Sequence, residues 1–264
     1  MTRAFSIMYH DVVEDGAWDS SGFPGSAAGS YKLTRQDFAQ HLAAVKRAVP
    51  AANTPLASQW DQRPAVFFTF DDGGVSFYRP IADLLEQQGY RGHFFITTAR
   101  IGTTGFLTKV QIRELHLRGH VIGSHSATHP TRMATLTADQ LREEWTTSVN
   151  ALQDIVGEPL PVASVPGGYY SRMVAETARD AGIRVLFNSE PTASVGSVDD
   201  CLVIGRYVIR RGNNPELSAG FAAGRFLPRF QQSLEWKAKG IAKSVGGTAY
   251  LKLRRTLFGD QRLP

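Results

Sequence analysis

The chain has one cysteine, Cys201, in 264 residues. A lone thiol has no intrachain partner, so disulfides do not build this fold, as suits a reducing compartment. Long hydrophobic runs are also missing. No apolar stretch approaches the ~18–20 residues of a membrane-spanning helix. The N-terminal apolar run is cut short by His10 and Asp11, so no secretory signal is expected and a cytoplasmic location is. Charge of one sign is scarce, with a formal net of +5, and no internal repeat is visible. No recognised nucleic-acid motif accompanies the basic residues, so no nucleic-acid partner is expected. What remains is an ordinary globular mixture, 20% charged and 10% aromatic, which excludes a disordered chain. The length fits one large α/β unit or two small domains.

The charge is unevenly placed. Positions 225–264 hold nine basic residues (Arg225, Arg229, Lys237, Lys239, Lys243, Lys252, Arg254, Arg255, Arg262) against Glu235 and Asp260, a net of +7 that leaves −2 for the rest. From Leu217 onward the character changes. Phe226, Phe230, Leu234 and Ile241 recur at helical spacing. After Gly246-Gly247, Tyr250, Leu251, Leu253, Leu257 and Phe258 alternate with basic residues. A main body over 1–216 and a basic amphipathic extension over 217–264 are expected. The extension has two readings: a helix packed on the body with a solvated basic face, or peripheral contact with an anionic inner-membrane surface.

Within the body, short apolar runs at 5–9, 66–70, 93–97, 121–124, 161–165, 185–187 and 202–209 read as strands covered on both faces. Segments 34–49, 76–88, 108–118, 137–156 and 171–181 carry helical periodicity. The first opens on a Thr34/Asp37 pair resembling a capping box, and several end at glycine. This alternation predicts an α/β fold with a parallel sheet, open or closed. Residues 14–30, rich in Gly, Ser and acids, read as a surface loop, and 51–64 as a second loop.

Three strand ends carry chemistry. Phe68-Thr69-Phe70 runs into Asp71-Asp72-Gly73-Gly74, and adjacent carboxylates repel unless a cation or shared proton compensates. Asp-Gly is also good turn chemistry, so a plain turn is the bland reading. After Val121-Ile122 come His125 and His129, which one helical turn would bring to the same side. Surface histidines share that spacing, but an Asp and two His at strand ends make a three-ligand set that leaves a coordination position open, as in catalytic zinc sites. The expected cofactor is one divalent metal, zinc first, with cobalt or nickel accepted by the same donors. After a third apolar strand comes Val165-Pro166-Gly167-Gly168-Tyr169-Tyr170, a strand-to-helix turn whose backbone N–H groups could face an oxyanion. His41, His93, His116 and His120 lack such context and read as structural or solvated.

In order and spacing, 69–73, 125–129 and 164–168 resemble the three motifs of the polysaccharide deacetylase (NodB-homology) family of carbohydrate esterases. Met8-Tyr9-His10-Asp11 is similar to the opening of many members. The resemblance implies a distorted (β/α) barrel of about seven parallel strands, followed here by the basic helical extension. It implies Asp71 as general base, Asp72, His125 and His129 as metal ligands, and Gly167 as backbone oxyanion donor, with Tyr169 beside it toward the substrate. The implied partner is an N-acetylated sugar or glycan, hydrolysed to acetate and an amine. Two positions depart from the pattern. Ser164 stands where the family has an arginine paired with the catalytic aspartate, and Arg206 is the candidate substitute, although a salt-bridged or solvated side chain is the plainer reading. No histidine follows His129, so the late Leu-x-His motif that protonates the leaving amine is missing. His10 reads either as its replacement or as a buried structural histidine, and Asp71 could also serve as base and then acid. Glu190 is a further polar candidate. The alternatives are an amidohydrolase such as a deformylase on a lipid-linked sugar, and a carbohydrate-binding relic of the same fold.

Overall fold

The structure, a computed structural model, describes residues 2–245 apart from 53 and 62. The alternating run over 250–258 lies outside the described residues, as do the side chains of Lys239, Ile241 and Lys243. The strands are β1 Ala4–Tyr9, β2 Val12–Val13, β3 Leu33–Thr34, β4 Ala65–Phe70, β5 Gly92–Ile96, β6 Val121–Ser124, β7 Val162–Ser164, β8 Val185–Phe187, β9 Val195–Val198, β10 Cys201–Ile204 and β11 Arg206–Val208. The helices are α1 Ser26–Gly29, α2 Arg35–Ala48, α3 Ile81–Gln87, α4 Lys109–Leu117, α5 Ala138–Val156, α6 Arg172–Asp180, α7 Pro215–Ala222 and α8 Phe226–Val245.

One sheet runs in the order β11-β1-β4-β5-β6-β7-β8-β10-β9, parallel throughout except for the β9–β10 pair. The parallel part of that order closes on itself through β10 and β11. β10 pairs with β8, β11 pairs with β1, and only Gly205 separates β10 from β11. The run expected as one strand over 202–209 is thus a single strand bent at Gly205, and it closes the sheet as the seventh parallel strand. A Cβ at Gly205 would lie 2.3 Å from the Glu190 carbonyl oxygen, so glycine is needed where the chain changes partners.

Side chains alternate in and out along each strand. Ala65, Phe67, Phe95, Val121, Val162, Val185, Phe187 and Ile204 point inward and pack with Ala57 and Trp60. Their neighbours Val66, Phe68, Phe70, Phe94 and Ile122 point outward beneath the helices, against Phe38 and Leu42 of α2, Ile81 of α3 and Ile112 of α4. Burying each such aromatic contributes about 1.5–3 kcal/mol. Helix starts follow local chemistry. Thr108 and Thr137 form reciprocal capping boxes with Gln111 and Gln140, whereas Thr34 accepts from the Asp37 N–H.

Two expectations need correction, and one loop has a task of its own. The helix expected from position 76 begins at Ile81, because Pro80 disfavours helical backbone at the residue before it; a 3-10 turn occupies Val75–Phe77. Residues 14–30 are not a plain surface loop: Ser21, Gly22 and Phe23 are buried. The buried Lys32 ammonium donates to the Trp18, Ser21 and Phe23 carbonyls at 2.6–2.7 Å and draws this loop onto the barrel mouth. The 51–64 segment closes the other end, where the Ala57 N–H donates to His93 Nε2 at 2.9 Å and Trp60 packs on Phe67.

Candidate functional site

The alternation that fills the barrel also aims the site. On β4 the inward positions Ala65, Phe67 and Thr69 continue to Asp71. On β6, Val121 and Gly123 continue to His125. On β7, Val162 continues to Ser164, and on β1, Ala4, Ser6 and Met8 continue to His10. Beyond Gly205, Ile204 continues to Arg206. Five strands therefore deliver polar side chains to one end of the barrel axis, above a floor of Phe67, Phe95 and Phe187.

Asp71 and Arg206 are both buried and meet as a bidentate pair, with Nη1 to Oδ1 at 2.6 Å and Nη2 to Oδ2 at 2.7 Å. Arg206 Nε donates to the Asn188 carbonyl at 2.9 Å, and its guanidinium lies 5.8 Å from the Phe95 ring centroid. Arg206 thus occupies the charge-partner role that Ser164 cannot fill. Ser164 has a different task. Its hydroxyl donates to Asp71 Oδ1 at 3.0 Å and meets His125 Nδ1 at 2.6 Å. If Nδ1–H donates to that hydroxyl, the Nε2 lone pair of His125 is turned to the site.

Asp72, His125 and His129 each offer one ligand atom, all within 4.8 Å of one another. Both Nε2 atoms stand 3.4 Å from Asp72 Oδ1. One oxygen and two imidazole nitrogens, gathered and largely buried, suit a divalent ion such as zinc. Outward by strand parity, Asp72 is turned back by a left-handed backbone, φ 89°. Gly74 then leaves room for the buried Asp11 carboxylate, whose Oδ1 would lie 1.8 Å from a Cβ there. Asp11 Oδ1 accepts from Ser21 and Ser76 at 2.6 and 2.8 Å.

The His125–His129 segment is not the helical turn expected from its spacing. Ser126 and His129 both have φ 62°, and the loop is pinned instead by Glu144 of α5. That carboxylate accepts from the Ala127 and Thr128 N–H groups and the Thr128 hydroxyl. Phe23, from the loop drawn in by Lys32, packs 5.0 Å from the His129 ring. Neither Glu144 nor Lys32 stands out in the sequence, because an acid in a helix and a lysine beside a polar loop ordinarily face water.

Burial alone would raise both carboxyl pKa values. Arg206 and then His125 bring Asp71 below its ordinary value, while His125 and His129 bring Asp72 well below. Burial opposes protonation of His129, but Asp72 outweighs it and raises the pKa. His10 is a lesser cause in the same direction for both carboxylates; its ring lies 4.8 Å from Tyr31, and its buried Nδ1 has no hydrogen-bond partner among the described residues. Gly167 sits exposed at φ 62° in the Pro166–Gly168 turn. Tyr169 follows it, with the Arg132 guanidinium 5.4 Å from its ring centroid. Glu190 points to solvent and takes part through its carbonyl, which accepts the Arg206 N–H. His41, His93 and His120 are buried and hydrogen-bonded within the fold, and His116 lies at the surface near Glu158. Cys201 is buried, which pushes its thiol up to about 11.

Residues 59–186 match the sequence profile of the polysaccharide deacetylase family. The chain is 24% identical over 229 residues to the putative polysaccharide deacetylase YxkH of Bacillus subtilis (strain 168), covering 84% of this chain and 75% of that one. It is 30% identical over 127 residues to the peptidoglycan-N-acetylmuramic acid deacetylase PdaA of the same organism, covering 46% of this chain and 45% of that protein, about half of each. Its fold is similar to the crystal structure of a polysaccharide deacetylase from Bacillus cereus, with a TM-score of 0.69 at 19% identity, over 83% of this chain and 69% of that one. With its motifs gathered at one end of a parallel α/β barrel, the chain belongs to the polysaccharide deacetylase (NodB-homology) family.

Proposed function

We propose that this chain is a metal-dependent hydrolase that removes an N-acetyl group from an amino sugar in a glycan or glycan precursor. The observation that carries the reading is the Asp71–Arg206 pair, a buried ionised carboxylate held beside a three-residue ligand set. Asp72, His125 and His129 would hold the ion, zinc by donor type. When bound there, a divalent ion polarises an amide carbonyl and lowers the pKa of water. Asp71 then takes the proton of the attacking water, and Arg206 keeps it ionised to do so. Ser164 holds Asp71 and His125 in mutual register. The N–H of Gly167 faces the developing oxyanion, and Tyr169 lines the substrate side. His10, directed inward at the end of β1, gives a proton to the departing amine, in place of the absent late histidine.

The relatives' names support the amino-sugar reading, since PdaA is a deacetylase of N-acetylmuramic acid in peptidoglycan. The test is zinc-loaded protein incubated with N-acetylated and N-formylated amino sugars, free and lipid-linked. Acetate release is expected. Formate release alone would move the assignment to a deformylase, and release of neither would leave a binding relic.

A further inference from the structure

Helix α8 turns an apolar stripe to solvent. Phe226 is 70% exposed, Leu227 61%, Phe230 46% and Leu234 50%. Positions 226, 230 and 234 recur every four residues and share a face, with 227 on its flank. Another face fixes the helix to the barrel. The Gln232 side chain donates to and accepts from the Val208 backbone, both at 2.9 Å, and the Ser233 hydroxyl donates to the Pro191 carbonyl at 2.9 Å. The stripe is therefore held outward, and a contiguous exposed apolar patch marks an interaction surface.

Charge indicates what covers it. Exposed Lys237 shares the side of the helix that bears the stripe, and positions 225–264 carry a net +7 against −2 elsewhere. A second copy would bring two such segments together, whereas an anionic surface complements them. We propose that α8 is a membrane-docking helix that lays this stripe into the interface of a bilayer bearing anionic phospholipid headgroups. The helix lies on the bilayer rather than crossing it: among the described residues no helix is long and apolar enough to span a membrane.

The orientation follows from the contacts. Arg229, near the start of α8, lies over Phe5 at the beginning of β1. Gln232 reaches Val208 at the end of β11, and Trp236 borders a cavity of about 260 Å3 with Ser189 and Arg210, beyond the ends of β8 and β11. The helix climbs toward the end of the barrel that holds Asp71. A docked α8 lays this flank of the barrel on the lipid surface, with the mouth opening beside it. On the reading given under Proposed function, the amino sugar is then met at the membrane.

The test is co-sedimentation of the full chain with vesicles of phosphatidylcholine alone or mixed with phosphatidylglycerol, beside a Phe230→Asp/Leu234→Asp variant. These side chains are exposed, so the variant should keep its melting temperature. Should it not, Leu227→Ser/Phe230→Ser takes its place. The wild type should partition at least tenfold more strongly to the phosphatidylglycerol vesicles, less so at high salt, and the variant should lose at least tenfold. No binding, or equal binding by the variant, would overturn the proposal. So would a wild-type dimer that the variant abolishes without any vesicle binding. Vesicle binding needs no turnover, so this result stands apart from that of the hydrolysis assay.

Discussion

Arg206 carries more of the account than its position in the sequence suggests. It lies 135 residues from Asp71, and both side chains are buried. Removing one partner of a buried pair strands the other charge, a cost of ~3–5 kcal/mol. Arg206→Gln should therefore lose about that much stability by urea denaturation, and Asp71→Asn/Arg206→Gln should recover part of it. A single-variant loss below ~1 kcal/mol, the range of exposed pairs, would contradict the pairing. In the sequence, this residue was visible only through a mismatch. Ser164 stood where an arginine was expected, and the compensating arginine had to come from another strand. Ser164 itself was read as a departure, but it links Asp71 to His125. Neither link is local, so no spacing rule could report it.

At the scale of elements, the strands were legible because nearly every one is a short apolar run covered on both sides. Their parity explains why Asp71, His125, Ser164 and His10 share one axis. What stayed hidden was polar burial. Composition marked 14–30 as solvated, yet Lys32 satisfies three carbonyls there and seats Phe23 beside His129. Two histidines do comparable work between strands and helices. His93 Nε2 accepts the Ala57 N–H and His120 Nδ1 accepts the Gly92 N–H, so each must be neutral, and burial pushes each pKa down to about 4. An unfolded histidine titrates near ~6.5, so between these values the unfolded chain binds protons that the folded chain excludes. Stability present above that window is lost as pH falls through it, by up to ~3 kcal/mol per histidine. The urea midpoint should drop between neutral pH and about pH 4.5, and less so in His93→Gln. A midpoint unchanged by acid would contradict these assignments.

For the molecule as a whole, the bend at Gly205 closes the parallel part of the sheet on itself and carries Arg206 into the barrel. One end is plugged by Trp60 and the aromatic floor, so the chemistry lies at the other, and α8 runs toward it. The central claim is that Asp72, His125 and His129 bind the ion while Asp71, which is not a ligand, performs the proton transfer. The most direct measurement is bound zinc and acetate release together, in the wild type, Asp71→Asn and His125→Ala/His129→Ala. One zinc per wild-type chain is expected. Asp71→Asn should keep that zinc but lose turnover by about 10²–10⁴-fold, as for a removed general base, whereas the double histidine variant should lose both. Full acetate release by Asp71→Asn, or full zinc retention by the double histidine variant, would contradict it.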